Sequence, residues 1–230
     1  VGMARTLFTN RLGGASIGPF ESKNLALHVG DSEVSVKANR KKLADEIGLS
    51  PEKIFYMNQV HGNQIAVIDQ NSDPGNPVVA DGLYTELRNI ALVTLVADCT
   101  PLLLFSQSAI AAVHVGRRGL IAGVVEATLE TFKSHGFSMN DLQAEIGPAI
   151  CKSCYQVDLD SYRSVVASEP TAGSDETKRC VDVSAGVSAK LTRAGVNHRT
   201  SNICVSHTPG YFSYRRDGIT GRQAGVIWLS

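Results

Sequence analysis

Short apolar runs that end abruptly at polar residues constrain this chain more than any other feature. Ile90–Ala97 and Ala109–Val113 are almost unbroken by polar side chains, so strands built from them are covered on both faces. Both are far shorter than the roughly 20 residues that cross a bilayer. Similar runs occur at Gln64–Ile68, Leu102–Phe105, Ile110–Val113, Asn202–Val205 and Val226–Leu229. Between them lie segments of helical period. Ser32 is placed to cap a helix reaching Ile47, with Val36, Leu43 and Ile47 on one face and Gly48 as its stop. Leu120, Val124, Leu129 and Phe132 predict a second helix ending before Gly136, and Val183, Val187, Leu191 and Ala194 a third behind Asp182. Strands buried on both faces, alternating with amphipathic helices, predict a single α/β domain over residues 1–230, with mixed β-sheets flanked by helices.

Lys plus Arg equals Asp plus Glu at 22 each. No global field therefore recruits nucleic acid or an anionic membrane, and a small-molecule partner is expected. The first residues lack the apolar stretch of a secretory leader, and five cysteines are too sparse for a disulfide scaffold. A reducing, cytoplasmic setting is the expectation. Cys151-Lys152-Ser153-Cys154 has the C-x-x-C spacing, but without a second such pair it reads as incidental.

Three segments carry a reactive side chain where a strand gives way to a turn: Asn58-Gln59-Val60-His61-Gly62, Ala97-Asp98-Cys99-Thr100-Pro101 and Val113-His114-Val115-Gly116. Two imidazoles and a thiolate form a borderline-soft ligand set, and three protein ligands leave a fourth tetrahedral position for water or substrate. The other reading makes His61 and His114 hydrogen-bonded residues at the edge of the core and Cys99 a small buried hydrophobe. Asp98, beside Cys99, is a candidate to orient an imidazole, or else a strand-terminal acid bonding its own backbone.

Six ordered motifs add to this: Gln59-Val60-His61-Gly62, Ala80-Asp81-Gly82, Ala97-Asp98-Cys99-Thr100-Pro101, His114-x-Gly116-x-Arg118-Gly119, Ile146-Gly147-Pro148-Ala149-Ile150 and Tyr211-Phe212-Ser213-Tyr214-Arg215-Arg216-Asp217-Gly218. With the opening block Thr9-Asn10-Arg11-Leu12-Gly13-Gly14, they make the chain resemble the laccase-domain family, also called multicopper polyphenol oxidoreductases, over nearly its whole length. The resemblance implies zinc held by His61, Cys99 and His114. It also implies purine nucleoside phosphorylase activity, with adenosine deaminase and methylthioadenosine phosphorylase activity beside it. Purine nucleosides and phosphate are then the partners. Two motifs depart from the family pattern: Val115 and Arg117 stand where alanine and tryptophan are usual, and Cys151 where a glycine often stands.

Arg11 and Arg118, each inside a motif beside glycines, are the preferred phosphate ligands, with Arg216 a third candidate from the basic segment 190–222. Two other chemistries compete. Copper would fit the same two histidines and cysteine, with Met57 as an axial ligand, although six histidines are few for a trinuclear cluster. Alternatively, Cys99 would be a nucleophile with His114 as its base.

Overall fold

The computed structural model describes residues 3–230. Two mixed sheets pack face to face. The first runs β1 (Ala4–Phe8), β14 (Gln223–Leu229), β7 (Ala91–Val96), β2 (Ile54–Phe55), and only its β2–β7 pair is parallel. The second runs β13 (Asn197–Thr200), β10 (Gln143–Ile146), β8 (Thr100–Phe105), β9 (Ile110–Val115), β6 (Gly82–Thr85), β4 (Ile65–Val67), with parallel pairs only at its two edges. Two small ladders complete the strands, β3 (Met57–Asn58) with β5 (Val78–Val79) and β11 (Gly173–Asp175) with β12 (Cys180–Val181).

The unbroken apolar runs follow from this layering. Along β7, Ala91, Val93 and Leu95 face α1 (Glu33–Ile47), while Leu92 points between the sheets. Along β8, Leu103 points between the sheets, and Leu102 and Leu104 meet the helices beyond. Those helices are α2 (Arg117–Ala122), α3 (Val124–Ser134), α4 (Leu159–Ser168) and α5 (Val183–Arg193). Leu92, Leu102, Leu103 and Leu104 are fully buried, and truncating one to alanine costs about 2–5 kcal/mol. The architecture is the α/β fold with mixed, helix-flanked sheets that the pattern predicts.

Local expectations fare unevenly. Helix α1 ends at Gly48, whose φ of 72° is left-handed, and the Asp182 side chain caps α5 by accepting from Ala185 N. The expected helix through Leu120 and Phe132 is two helices, because Gly123 adopts φ 84° and ends α2 before α3 begins. Asn202–Val205 is no strand; it carries one bridge, Ala149 to Cys204, and then a turn. No helix among the described residues is long and apolar enough to cross a membrane.

Candidate metal centre

His61, Cys99 and His114 come from three separate segments of the chain that converge. His61 follows β3, Cys99 lies in the tight β7–β8 turn, and His114 is near the end of β9. Their ligand atoms all lie within 4.8 Å of one another. Cys99 Sγ is 3.9 Å from His61 Nε2, and the two imidazoles stand edge to face with centroids 4.7 Å apart.

One carboxylate organises two of the three. Asp81, fully buried, accepts from His114 Nδ1 at 2.8 Å, which leaves Nε2 of that ring for the thiol. It also accepts from the backbone N–H groups of Val60, His61 and Gly62 at 3.2, 2.9 and 2.6 Å. These bonds hold His61 at φ 62°, a left-handed conformation that a non-glycine residue rarely adopts without support. Asp98 takes a different part. Its Oδ1 accepts from Ser213 Oγ at 2.6 Å and its Oδ2 from Arg215 N at 2.7 Å, so it orients no imidazole. It ties the Cys99 turn, itself strained at Asp98 φ 100°, to the helical turn α6 (Tyr214–Asp217). The orienting acid is 17 residues earlier in the chain than sequence adjacency suggests.

Gly116 leaves room for the cluster. A Cβ there would sit 2.7 Å from His61 Cδ2 and 3.2 Å from Cys99 Sγ. Charge is shared across the site. Burial opposes ionisation of Cys99, but the His114 imidazole and hydrogen bonds from both histidines outweigh it and lower the thiol pKa. Burial likewise opposes protonation of His114, and Cys99 with Asp81 overcomes it and raises that pKa. A thiolate forms readily here, and the thiolate is the species that binds soft metals.

The cluster opens into a cavity of about 460 Å³, within the range of small-molecule sites. Its walls include Ile150, Tyr155, Val183 and Tyr214, and its cations are Arg117, Arg215 and Arg222, with His28 beside them. None of the three arginines put forward as phosphate ligands, Arg11, Arg118 and Arg216, lines it. Arg11 stacks on the Phe212 ring at 4.7 Å, donates from Nε to Glu21 O and lies 3.9 Å from Asp217. Arg216 pairs with Asp217 and donates to the carbonyls of Val205, Ser206, Thr208 and Tyr211, while Arg118 is exposed on α2. A Cβ at Gly14, in the opening block, would meet Ser22 O at 2.0 Å, so that glycine permits a backbone crossing.

Two cavity residues rank low from the sequence: Arg222 is one of six basic residues of segment 190–222, behind Arg11 and Arg118 as a phosphate ligand, and His28 reads there as surface or structural. Arg222 donates from Nη1 to Thr220 O and Gly221 O and has no acidic partner among the described residues. Burial lowers its pKa, and Cys99 and Asp98 partly restore it. His28 has a lowered pKa through burial and the neighbouring Arg222 and Arg40. The signal available for His28 was its place in the N-terminal block. Met57, the suggested axial copper ligand, is buried between the sheets with Phe55, Ile68 and Ala80, outside the cavity lining.

Fold and site together define a two-sheet α/β protein with a three-donor Cys/His centre opening on a cavity. The profile of the multi-copper polyphenol oxidoreductase laccase family matches residues 5–230. The chain belongs to that family. It is 41% identical over 235 residues to a Streptomyces griseus protein named purine nucleoside phosphorylase ORF3, covering 99% of this chain and 95% of that one. A Corynebacterium glutamicum protein named purine nucleoside phosphorylase Cgl2154/cg2365 is 42% identical, covering 98% and 94%. Among solved structures, YlmD from Geobacillus stearothermophilus superposes with a TM-score of 0.91 at 31% identity, covering 98% and 91%.

Proposed function

We propose that this chain is a zinc-dependent purine nucleoside phosphorylase, using phosphate on adenosine, inosine and methylthioadenosine and deaminating adenosine in the same cavity. One observation carries the reading: a metal-capable triad and a guanidinium without an acidic partner, Arg222, share a single cavity. The names of the relatives support the substrate class.

The donor set fits zinc. Two imidazoles and a thiolate of lowered pKa suit a borderline-soft ion, three ligands leave a position open, and the Asp81–His114 bond is the outer carboxylate contact such sites use. Bound zinc supplies Lewis acidity and can bring the pKa of a coordinated water to about 7. The chain's own residues do the rest. Arg222 and Arg215 hold phosphate oxygens, the former through N–H groups its backbone carbonyl partners leave free. Tyr155, Ile150 and Val183 cover the purine and exclude water from C1′. In phosphorolysis a phosphate oxygen attacks C1′ as the bond to the base breaks, with charge developing as in other glycosyl transfers. Both oxygens of Asp98 are already engaged as acceptors, so it acts by holding the Cys99 turn.

Incubating the purified chain with adenosine or inosine, with and without phosphate, tests the proposal. Free base and ribose 1-phosphate are expected only when phosphate is present, and inosine from adenosine in either case. No nucleoside turnover by the zinc-loaded chain would remove the reading.

The Cys99–His114 polarisation also favours a second reading, in which Cys99 is a nucleophile. His61 argues against it, because a nucleophile needs one base and here a second imidazole faces the same sulfur. A Cys99→Ser variant that keeps its cavity zinc but loses all activity would favour the nucleophile.

A further inference from the structure

Of the four cysteines outside the cavity centre, three share one corner of the fold. The C-x-x-C pair Cys151 and Cys154 forms a single turn, with Cys154 N donating to Cys151 O at 3.0 Å. Cys204-Val205-Ser206-His207 forms another, with His207 N donating to Cys204 O at 3.2 Å. Such a turn puts the side chains of its first and fourth residues on one side. The two turns are held together by a parallel bridge, in which Val205 N donates to Ala149 O at 3.1 Å and Ala149 N to Ile203 O at 3.4 Å. Cys151, Cys154, Cys204 and His207 thereby bring their ligand atoms within 4.8 Å of one another.

We propose that these four residues bind a zinc ion in a closed, structural Cys₃His site, distinct from the cavity centre. Four donors fill a tetrahedral shell and leave no position for substrate, which marks structural zinc. Three sulfurs and an imidazole select zinc or another thiophilic ion over magnesium or calcium. Zinc bonds of about 2.3 Å to sulfur and 2.0–2.1 Å to nitrogen put neighbouring ligands about 3.5–3.8 Å apart. Cys154 Sγ and His207 Nε2, at 2.8 Å, would separate by under about 1 Å to admit the ion. Both are on surface turns that can yield.

Other features suit a bound thiolate cluster. Cys151 N points at Cys204 Sγ at 3.3 Å, the kind of N–H contact that stabilises a ligating sulfur. Three thiolates and one divalent ion carry a net negative charge, and the Arg216 guanidinium lies against the carbonyls of Val205, Ser206 and Thr208 in the ligand-bearing turn. A disulfide would use two of the three sulfurs and leave the third and His207 without a role. The position also gives the ion a purpose. Ile150 precedes the first knuckle and Tyr155 follows it, and both line the cavity. Ile150 N donates to Asp98 O at 2.9 Å, next to Cys99. The ion would staple the wall of the cavity without touching its contents.

Metal content of the intact chain, purified without chelators from zinc-supplemented cells, tests this site separately from the cavity. Two zinc ions per chain are expected in wild type, one in Cys99→Ser and one in Cys154→Ser. His207→Ala, at an exposed position, removes a ligand with little risk to folding and should also lower the second equivalent. Cobalt loaded into Cys99→Ser should give the visible d–d bands of a tetrahedral thiolate site. In the same variant Cys151, Cys154 and Cys204 should resist alkylation until a strong chelator is added. One zinc in wild type that survives Cys154→Ser and His207→Ala overturns the proposal. So does alkylation of the three cysteines at the same rate with and without chelator, or a disulfide among them in the freshly isolated chain.

Discussion

The two Cys/His clusters are built by opposite routes. The cavity centre draws its donors from three distant elements, with gaps of 38 and 15 residues between ligands, and depends on Asp81 and Gly116 for its shape. The peripheral cluster is two i, i+3 turns clipped together by one bridge. The first has three donors and opens on the cavity lined by Arg222; the second has four, two of which, Cys151 and Cys204, border a separate surface pocket. Each has an arginine nearby, and these differ in the same sense. Arg222 lines the cavity and bonds only two backbone carbonyls, both through Nη1, whereas Arg216 spends its guanidinium on carbonyls and Asp217. On these two proposals, donor number and the employment of the neighbouring cation together are what would separate a reactive centre from a staple.

The sharpest test of that contrast exchanges one thiol in each cluster. Cys99→Ser should cost nucleoside phosphorolysis more than the roughly 100-fold lost when only a ligand's outer partner is removed, with little change in Tm. Cys154→Ser should act the other way, lowering Tm as a site that binds only the folded chain is lost. Calorimetry and kcat/KM on both variants measure it. Matching profiles for the two would erase the distinction between centre and staple.

Next in size is Arg222→Ala. A charge-assisted hydrogen bond contributes about 1.5–3 kcal/mol, so phosphorolysis should slow roughly 10- to 150-fold. Deamination of adenosine, which uses no phosphate, should keep its kcat/KM. Equal loss in both reactions would assign Arg222 to the nucleoside. Asp81→Asn follows, with a loss of about 10- to 100-fold in zinc affinity at the cavity centre, read by chelator competition. The peripheral ion should be unaffected, because no bond of Asp81 reaches it.

The sequence makes the layers legible and the site only partly so. Period and punctuation suffice where burial dictates both, as at α1 with Gly48 or at β7, which lies one residue inside each end of the Ile90–Ala97 run. They fail at Asn202–Val205, where β-branched residues sit in a turn whose partner is Ala149, 55 residues away from Cys204. That misreading hid the convergence of Cys204 and His207 with the C-x-x-C pair. Asp98 and Asp81 show a related limit. Adjacency in sequence favoured Asp98, but a β-turn aims successive side chains apart, and Asp81 reaches His114 because β6 pairs with β9. Motif membership misled in the same way for arginine: Arg11 and Arg216 hold loops in place, and the cavity cation stands just before β14.

The smallest effect concerns Arg11→Ala. If motif arginines build the loops and cavity arginines handle phosphate, this substitution must separate stability from chemistry. Arg11 gives its guanidinium to the Phe212 face and to Glu21 O, and its backbone N–H to Gly210 O. Alanine keeps the backbone bond and loses the other two, along with the 3.9 Å pairing to Asp217, which adds little for a part-exposed pair at that distance. A cation–π contact near the surface contributes about 0.5–1 kcal/mol and a net hydrogen bond about 0.5–1.5 kcal/mol, so unfolding free energy should fall by about 1–2.5 kcal/mol. In a chain of this length that lowers Tm by several degrees. The kcat/KM for phosphorolysis and deamination, measured well below Tm, should stay within about threefold of wild type, under 1 kcal/mol in barrier. A selective fall in phosphorolysis with Tm unchanged would return Arg11 to the phosphate site. It would also mean that the loop from Gly210 to Asp217 moves when the cavity fills, since that loop holds Arg11 away from it.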